Sequence, residues 1–443
     1  MALTKNVFTV LKMFASTNEK LNQRQLSEAT KLSLGTVNTA VKSLENRGLI
    51  KDRMITQKGL EALKPYAVDN AIIMAAGLSS RFAPISYEKP KGVLKVRGEV
   101  LIERQIRQLM EAGITDITVV VGYKKEYFFY LAGKFGVSIV VNPDYATRNN
   151  NSTLWYVKNR LGNTYICSSD DYFTVNPFEH YVYGAYYSAT YVAGPTKEWC
   201  LKEGSGGRIT GVEIGGFDAW VMLGHVYFDR AFSKRFVEIL ELVYERPETA
   251  DKLWEDIYAD HIKQLSMTIR KYPDGVINEF DSLDELREFD PAFIENIDSE
   301  IFDNIVSVLH CKKSDIHDFY PLKQGLTNLS AHFTVGYGEG AQEYVYRHPG
   351  VGTEKLVDRA GEEAGLRLAR ELGLDSTFIY EDQKEGWKIS HFVKNAKNLD
   401  PHNPAQLRRA MEMGRTLHES GAVLDRHFSF VDEGLNYEKV LKE

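Results

Sequence analysis

The sequence predicts an α/β protein whose central sheet is mostly parallel and is covered by helices on both faces. Between about Asn70 and Asp290, apolar runs such as ITVVVG, VSIVVN and TYICSS alternate with amphipathic stretches such as LIERQIRQLMEAG. This alternation is typical of strand–helix–strand units. A helical segment precedes this region, and a segment of strand pairs and helices follows it. The 443 residues therefore predict three domains, at 1–66, 70–290 and 301–443.

The composition predicts an ordinary globular protein, with 43% hydrophobic and 26% charged residues. No apolar run approaches the roughly 18 residues that would indicate a membrane span, and the N-terminus lacks the pattern of a signal peptide. The three cysteines, Cys167, Cys200 and Cys311, lie far apart in the sequence. We expect reduced thiols and a cytoplasmic protein.

The net charge of −7 is unevenly distributed along the chain. Residues 1–66 contain eleven Lys and Arg against five Asp and Glu, which makes this segment +6 and leaves −13 for the remainder. A basic segment attached to an acidic body indicates that the segment has a partner of its own. If that partner is DNA, we expect the isolated segment to bind it better than the intact chain.

The sequence of the basic segment predicts three helices, a short hairpin and a closing helix. The second helix is expected at about Asn22 to Thr30, and Ser33 is the expected N-cap of the third. The order resembles the winged helix-turn-helix of MarR-like regulators, whose third helix enters the major groove of DNA. A protein-binding or homodimerisation role is equally open. The residues that would face DNA are Ser33, Thr36, Asn38, Thr39, Lys42 and, on the wing, Arg53.

The central segment opens with a strand that ends in a loop of small residues, MAAGLSSRF, followed by KPKG. Backbone amides around Ala75, Ala76 and Gly77 can point at phosphates, and Arg81 and Lys91 can neutralise the charge of a departing pyrophosphate. These residues resemble the signature of sugar-phosphate and choline-phosphate nucleotidyltransferases. That resemblance implies catalytic roles for Arg81 and Lys91. Ser79 stands where the family has a second glycine.

A second apolar strand, YICSS, ends in Asp170 and Asp171. A carboxylate at this edge of a parallel sheet can hold Mg²⁺ between phosphate oxygens, which is the environment that this ion prefers. The resemblance places the metal ligand at Asp170. It also implies a second ligand directly after Trp254, namely Glu255. Mg²⁺ is the expected cofactor.

The substrate side chains are expected to read a cytidine nucleotide and a choline headgroup. Asn149, Asn150 and Thr153 follow a strand and are suited to contact a base and ribose; they resemble an element of CTP:phosphocholine cytidylyltransferases. A quaternary ammonium favours aromatic faces and a carboxylate. The resemblance implies Trp199 and Glu279 for this role. Further candidates for the wall of the headgroup site are Tyr172 and Trp254.

The third segment resembles the N-terminal lobe of choline kinases. The resemblance implies a nucleotide site formed by Thr327, Asn328, Arg347 and Glu362, with Arg347 paired to Glu362. The HxDxxxxN loop that such kinases use for phosphoryl transfer does not occur in the 443 residues. We therefore expect no choline phosphorylation by this chain, and we interpret the segment as part of a longer bifunctional enzyme or as a structural domain.

The sequence thus predicts a Mg²⁺-dependent enzyme that transfers CMP from CTP to phosphocholine, as part of choline activation for the decoration of surface polymers. Two alternatives remain at this stage. One is a sugar-1-phosphate nucleotidyltransferase, and the other is a transcription regulator that senses CTP or CDP-choline.

Overall fold

The structure is a computed structural model that describes residues 2–17, 19–322, 328–350, 357–424 and 429–442. Within these ranges, no helix is both long enough and apolar enough to cross a membrane.

The N-terminal segment adopts the predicted winged-helix order. Ser33 is the N-cap of the third helix, as predicted, and its hydroxyl accepts a hydrogen bond from the Thr36 amide at 3.2 Å. Asn22 caps the second helix rather than opening it. The wing is a two-residue turn in which Asp52 and Arg53 both have positive φ. The elements are α1 (Lys5–Ala15), α2 (Gln23–Thr30), α3 (Leu34–Asn46), β1 (Ile50–Lys51), β2 (Met54–Ile55) and α4 (Gln57–Leu63).

The central segment alternates strands and helices. Its strands are β3 (Asn70–Ala75), β4 (Lys95–Val96), β5 (Glu99–Val100), β6 (Ile117–Val121), β7 (Ser138–Val141), β8 (Thr164–Ser168), β9 (Tyr172–Phe173), β10 (Tyr186–Glu203), β11 (Ile209–Phe228), β12 (Thr268–Lys271) and β13 (Ile277–Asn278). Its helices are α5 (Ile85–Glu88), α6 (Leu101–Glu111), α7 (Tyr130–Phe135), α8 (Asn151–Tyr156), α9 (Arg230–Val243), α10 (Trp254–Asp260) and α11 (Leu283–Phe289).

Seven of these strands form one sheet in the order β12-β10-β11-β8-β3-β6-β7. The strand pairs are parallel except for β10–β11 and β11–β8, so the predicted mostly parallel sheet is confirmed. Successive side chains of β3 enter different cores: Ile72 packs in one, whereas Ala71 and Ile73 pack in the other. Both faces of the sheet are therefore buried, as helices on both sides require.

The hairpin of β10 and β11 is longer than the sequence suggested. The apolar runs ATYVAG and AWVMLGHVYF lie in two separate strands, and these strands extend well beyond the runs, to 18 and 20 residues. The segment GPTKEW lies within β10, so Trp199 is a strand residue opposite Ile214. Hydrogen bonding to a long partner strand maintains extended structure through polar residues that show no clear apolar alternation.

The C-terminal segment contains α12 (Glu300–Leu309), β14 (Ile316–Leu322), β15 (Asn328–Val335), β16 (Gln342–Pro349), α13 (Arg359–Glu371), β17 (Phe378–Glu381), β18 (Lys388–His391), α14 (Pro404–Glu419) and α15 (Phe430–Lys442). Its five strands form an antiparallel sheet in the order β14-β15-β16-β18-β17. Hairpin, helix and strand pair follow one another in the predicted order, and the kinase assignment itself stays a prediction.

The chain divides into two compact units. The first contains residues 1–78, 92–94 and 98–279, so the winged helix and the seven-stranded sheet belong together. The second contains residues 79–91, 95–97 and 280–443.

Candidate active site

The loop after β3 begins in the first unit. Ala76 accepts a hydrogen bond from the Tyr123 amide at 3.2 Å, and a Cβ on Gly122 would lie 2.9 Å from the Ala76 carbonyl oxygen. Only glycine at 122 allows this close approach. Ala75, Ala76 and Gly77 are thus fixed at the carboxyl end of β3, where ligands of such sheets bind.

The serine that departs from the family signature adopts a conformation typical of glycine. Ser79 has φ 49° and ψ 40°, in the left-handed helical region. That region costs a non-glycine residue roughly 1 kcal/mol or more. The chain therefore follows the backbone path of a glycine loop in spite of the serine.

The two predicted catalytic cations belong to the second unit and differ in environment. Arg81 is largely exposed and forms an ion pair with Asp281 at 2.7 Å. Lys91 is buried, with its Nζ 5.3 Å from the centre of the Phe82 ring. The sequence analysis did not identify Asp281 as a partner of Arg81, because 200 residues separate the two.

The turn that carries the predicted metal ligand is held at the end of β8. The side chain of Gln105, from α6, donates hydrogen bonds to the carbonyl oxygens of Ser168 (2.7 Å) and Asp171 (2.8 Å). Asp170, between them, is half-buried, and Asp171 is almost fully buried. Gln105 is a positioning residue that the sequence analysis missed.

The glycine of KPKG lies close to this turn. A Cβ on Gly92 would stand 2.7 Å from the Ser169 hydroxyl oxygen. A side chain at 92 would therefore displace the residue that directly precedes Asp170. This close approach favours glycine at the position after Lys91.

Three carboxylates interact electrostatically with the hydroxyl of Tyr187, a buried residue of β10. This hydroxyl donates to Glu255 at 3.3 Å. Burial raises the pKa of Tyr187 well above its ordinary value, and the negative charges of Glu255, Glu279 and Asp171 raise it further. The predicted second metal ligand and the predicted choline carboxylate thus lie near the same tyrosine, which the sequence analysis did not single out.

The asparagine run joins α8 to the start of α10. Asn150 accepts a hydrogen bond from the Trp254 amide at 2.7 Å and donates to Glu255 at 3.1 Å. Asn149 donates to the Asp251 carbonyl oxygen, and Thr153 is buried, with its hydroxyl 3.3 Å from the Asn142 amide nitrogen. These contacts position Glu255. The predicted contact of the same side chains with a nucleotide stays a prediction.

The predicted headgroup residues have different surroundings. Trp254 is a core side chain, 1% exposed, and its ring stacks on Tyr187 at 5.8 Å. Tyr172 is buried beneath the Arg104 guanidinium, 4.6 Å from its ring centre. Trp199 is half-buried against the core, and Glu279 is exposed just after β13.

In the second unit, Arg347 and Glu362 form the predicted ion pair. Arg347 also pairs with Glu381 at 2.7 Å, a partner that the sequence analysis missed. Burial raises the pKa of Glu381 to about 7. Asn328 opens β15, and Thr327 lies outside the described residues. The nucleotide-binding role of this group stays a prediction.

Comparison with known proteins places these observations in a family. A model of the MobA-like NTP transferase domain matches residues 71–170, and a model of the winged helix-turn-helix DNA-binding domain matches residues 4–51. A choline-phosphate cytidylyltransferase of Streptococcus pneumoniae is 33% identical over 220 residues, half of this chain and 96% of the relative. The chain belongs to the choline-phosphate cytidylyltransferase family of nucleotidyltransferases.

Another relative is named for a different substrate. A 2-aminoethylphosphonate cytidylyltransferase of Lancefieldella rimae is 34% identical over 234 residues, 51% of this chain and 93% of the relative. The solved structure of the Streptococcus pneumoniae CTP:phosphocholine cytidylyltransferase matches with a TM-score of 0.49 over 50% of this chain and 96% of that chain. The family assignment shows a nucleotidyltransferase, and the two relatives are named for different acceptors.

Enzymes of this family typically use a divalent metal ion. Within the described residues, no group of three or more His, Cys, Asp or Glu side chains could hold a metal. Mg²⁺ needs only one or two carboxylates when substrate phosphates supply further ligands. The half-buried Asp170 and the carboxylate of Glu255 are hard oxygen donors of the right kind, so the residues fit such an ion.

The protonation of Glu255 makes a testable contribution to stability. Burial raises its pKa from 4.5 to about 7, although the hydrogen bonds from Asn150 and Tyr187 lower it. Between these values the folded state binds more protons than the unfolded state, so the free energy of unfolding falls as pH rises from 5 to 8. We expect Glu255→Gln to remove about 2 kcal/mol of this pH dependence.

The measurement is urea unfolding of both proteins at several pH values without divalent metal. Asp251→Asn, which removes an exposed carboxylate four residues earlier in the chain, is the matched control and should keep the wild-type slope. Equal pH slopes for wild type and Glu255→Gln would contradict a neutral Glu255 in the folded protein.

Proposed function

We propose that this chain transfers CMP from CTP to phosphocholine in the cytoplasm, giving CDP-choline and pyrophosphate. The observation that supports it most is that the Tyr187 hydroxyl donates to Glu255 and lies within the electrostatic influence of Glu279 and Asp171. Carboxyl groups next to an aromatic ring favour positively charged ligands, namely a metal ion and an ammonium headgroup, and a bound cation favours the ionised form of Glu255. A sugar phosphate has no cationic group to place there.

In the proposed mechanism, a phosphate oxygen of phosphocholine attacks the α-phosphorus of CTP in line with the departing pyrophosphate. Asp170 and Glu255 would hold Mg²⁺, which lowers the negative charge that the attacking oxygen meets. Lys91 and Arg81 stabilise the charge on pyrophosphate, and Arg81 exchanges Asp281 for phosphate oxygens. No covalent intermediate is needed, because positioning and electrostatics lower the barrier.

Nucleotide binding follows from the same arrangement. The amides of the loop formed by Ala75, Ala76, Gly77 and Ser79 bind the phosphates of CTP. Asn149, Asn150 and Thr153 support the nucleotide side of the site. Because Asn150 donates a hydrogen bond to Glu255, contact of Asn150 with the nucleotide is coupled to the position of the Glu255 carboxylate.

The two relatives are named for different acceptors, so a competition assay tests which acceptor this chain uses. With CTP and Mg²⁺, we expect kcat/KM for phosphocholine to exceed that for 2-aminoethylphosphonate, and glucose-1-phosphate to be turned over least. The physical reason is that a quaternary ammonium cannot donate hydrogen bonds and is stabilised by aromatic faces. A higher kcat/KM for 2-aminoethylphosphonate or for the sugar phosphate would contradict phosphocholine as the acceptor.

The variant Trp199→Ala tests whether the preference for phosphocholine depends on this aromatic side chain. If Trp199 contacts the headgroup, the variant loses roughly 0.5–2 kcal/mol of cation–π stabilisation and its preference for phosphocholine falls about 2- to 30-fold. Trp220→Ala is the matched control, because Trp220 is also a partly buried tryptophan packed against the same core.

A second function, DNA binding, is supported by the exposure of the third helix. Thr39 and Lys42 of α3 and Arg53 of the wing are exposed. The ion pair between Lys12 and Glu179 joins the rest of the first unit to α1, a different helix. We propose that α3 binds the major groove of duplex DNA and that the wing contacts phosphates.

Titration of the intact chain with duplex DNA tests this proposal. The logarithm of the affinity should fall with the logarithm of salt concentration by about 0.9 per phosphate contacted. Lys42→Glu combined with Arg53→Glu should weaken binding about tenfold or more. Lys64→Glu combined with Lys234→Glu changes the charge equally and should leave affinity much closer to wild type. Salt-independent binding, or no binding, would make the winged helix a protein-contact domain.

A further inference from the structure

A cavity lies between the winged helix and the transferase sheet, inside the first unit. Its volume is about 770 Å³, within the range of sites that take small organic ligands. One wall is formed by α1 residues, among them Lys5, Phe8 and Lys12. The other wall comes from the sheet and α9 and includes Tyr186, Arg235 and Arg270.

The charges of the lining favour an anion. Four lining residues are cationic, namely Lys5, Lys12, Arg235 and Arg270, whereas Glu179 and Asp229 are the acidic ones. Both acids already have partners inside the protein. Glu179 bridges Lys12 and Arg270, at 2.6 Å to each. Asp229 accepts from the amides of Phe232 and Ala185.

The lining therefore has a formal charge of about +2, and Lys5 and Arg235 are the cations that do not pair with a lining acid; Arg235 pairs with Glu238, outside the lining, at 2.9 Å. A phosphate monoester has a charge of about −1.5 to −2 near pH 7, which matches this excess. The aromatic rings of Phe8 and Tyr183, 5.4 Å apart, supply apolar surface for an organic portion.

The cavity is separate from the Glu255 region. Tyr186 and Tyr187 are adjacent on β10, and successive strand side chains point to opposite faces of a sheet. The Tyr186 hydroxyl lies 3.0 Å from His225, whereas the Tyr187 hydroxyl lies 3.3 Å from Glu255. Neither Tyr187 nor the carboxylates near it, Asp171, Glu255 and Glu279, line the cavity, so a ligand there would be separate from the proposed transfer site.

We propose that this cavity is a second binding site, for a small phosphate-bearing organic anion, held jointly by the winged helix and the transferase fold. Lys5 and Arg235 bind its phosphate, and the rings of Phe8 and Tyr183 contact its organic portion. The proposal goes beyond the transfer reaction, and it holds whichever acceptor the transferase uses.

Equilibrium dialysis of the intact chain tests the proposal by counting bound equivalents. The probes are CTP, phosphocholine, CDP-choline and, as an anion without an organic portion, inorganic phosphate. For at least one organic probe, we expect the variant Lys5→Glu with Arg235→Glu to bind one equivalent fewer than wild type. Weaker binding of inorganic phosphate than of the organic probe would show that the organic portion is recognised. Equal binding of inorganic phosphate at this site would overturn the proposal that the ligand is organic.

The matched control is Lys20→Glu with Lys234→Glu, which reverses two exposed cations outside the cavity, one in each part of the unit. It should bind as many equivalents as wild type. Thermal melting of both variants establishes that they are folded. The same number of equivalents in wild type and both variants, for every probe, would overturn the proposal. Because the count does not depend on turnover, failure here is distinguishable from failure of the proposed reaction.

Discussion

Asp170→Ala is expected to reduce CMP transfer by roughly 10³-fold or more while the protein remains folded. The carboxylate lies in a turn at the end of β8, where we propose that it holds Mg²⁺ against the phosphates of CTP. Without it, neither the attacking oxygen nor the leaving group is neutralised by the metal. The fold should persist because Gln105 fixes this turn through the backbone of Ser168 and Asp171.

Initial rates at saturating Mg²⁺ and CTP, together with thermal melting, measure this effect. Asp274→Ala, which removes an exposed carboxylate from the turn between β12 and β13, is the control and should have near-wild-type rates. A well-folded Asp170→Ala protein with near-normal turnover would show that the metal ligand lies elsewhere.

Lys91→Met should have the second largest effect, a loss of about 10²- to 10³-fold in kcat. Methionine keeps an unbranched side chain against Phe82 but removes the cation that we propose stabilises departing pyrophosphate. A charged group that acts mainly in the transition state affects kcat more than KM. The loss should therefore be in turnover rather than in CTP affinity.

Lys95→Met is the matched control, because Lys95 is exposed, four residues further on and in the same unit. Steady-state kinetics of both variants separate the alternatives. If Lys91→Met and Lys95→Met have equal kcat, or if Lys91→Met changes only KM, Lys91 does not act on the leaving group.

The sequence predicted those features that local chemistry determines. The N-cap at Ser33, the strands that end at Ala75 and Ser168, and the order of the winged helix follow from residues close together in the chain. The Arg347–Glu362 pair, 15 residues apart, was also anticipated, from the kinase resemblance. In each case a short motif was sufficient for the structural prediction.

Contacts between distant segments were not predictable in the same way. Tyr187 looks like an ordinary strand residue, and its importance appears only when Glu255 and Asp171 are brought to it by folding. The asparagine run suggested contact with a nucleotide, but most of its hydrogen bonds join it to residues about 100 positions later in the chain. Gln105, within LIERQI, was hidden in a helix that the sequence analysis read only for its apolar face.

The measurement that tests the central claim most directly follows the α-phosphorus of CTP. The intact chain is incubated with Mg²⁺, phosphocholine and CTP labelled at the α-phosphate. Our account predicts labelled CDP-choline together with unlabelled pyrophosphate, in equal amounts. Binding of CTP without any transfer of the label, which a sensor of CTP or CDP-choline would show, would contradict it.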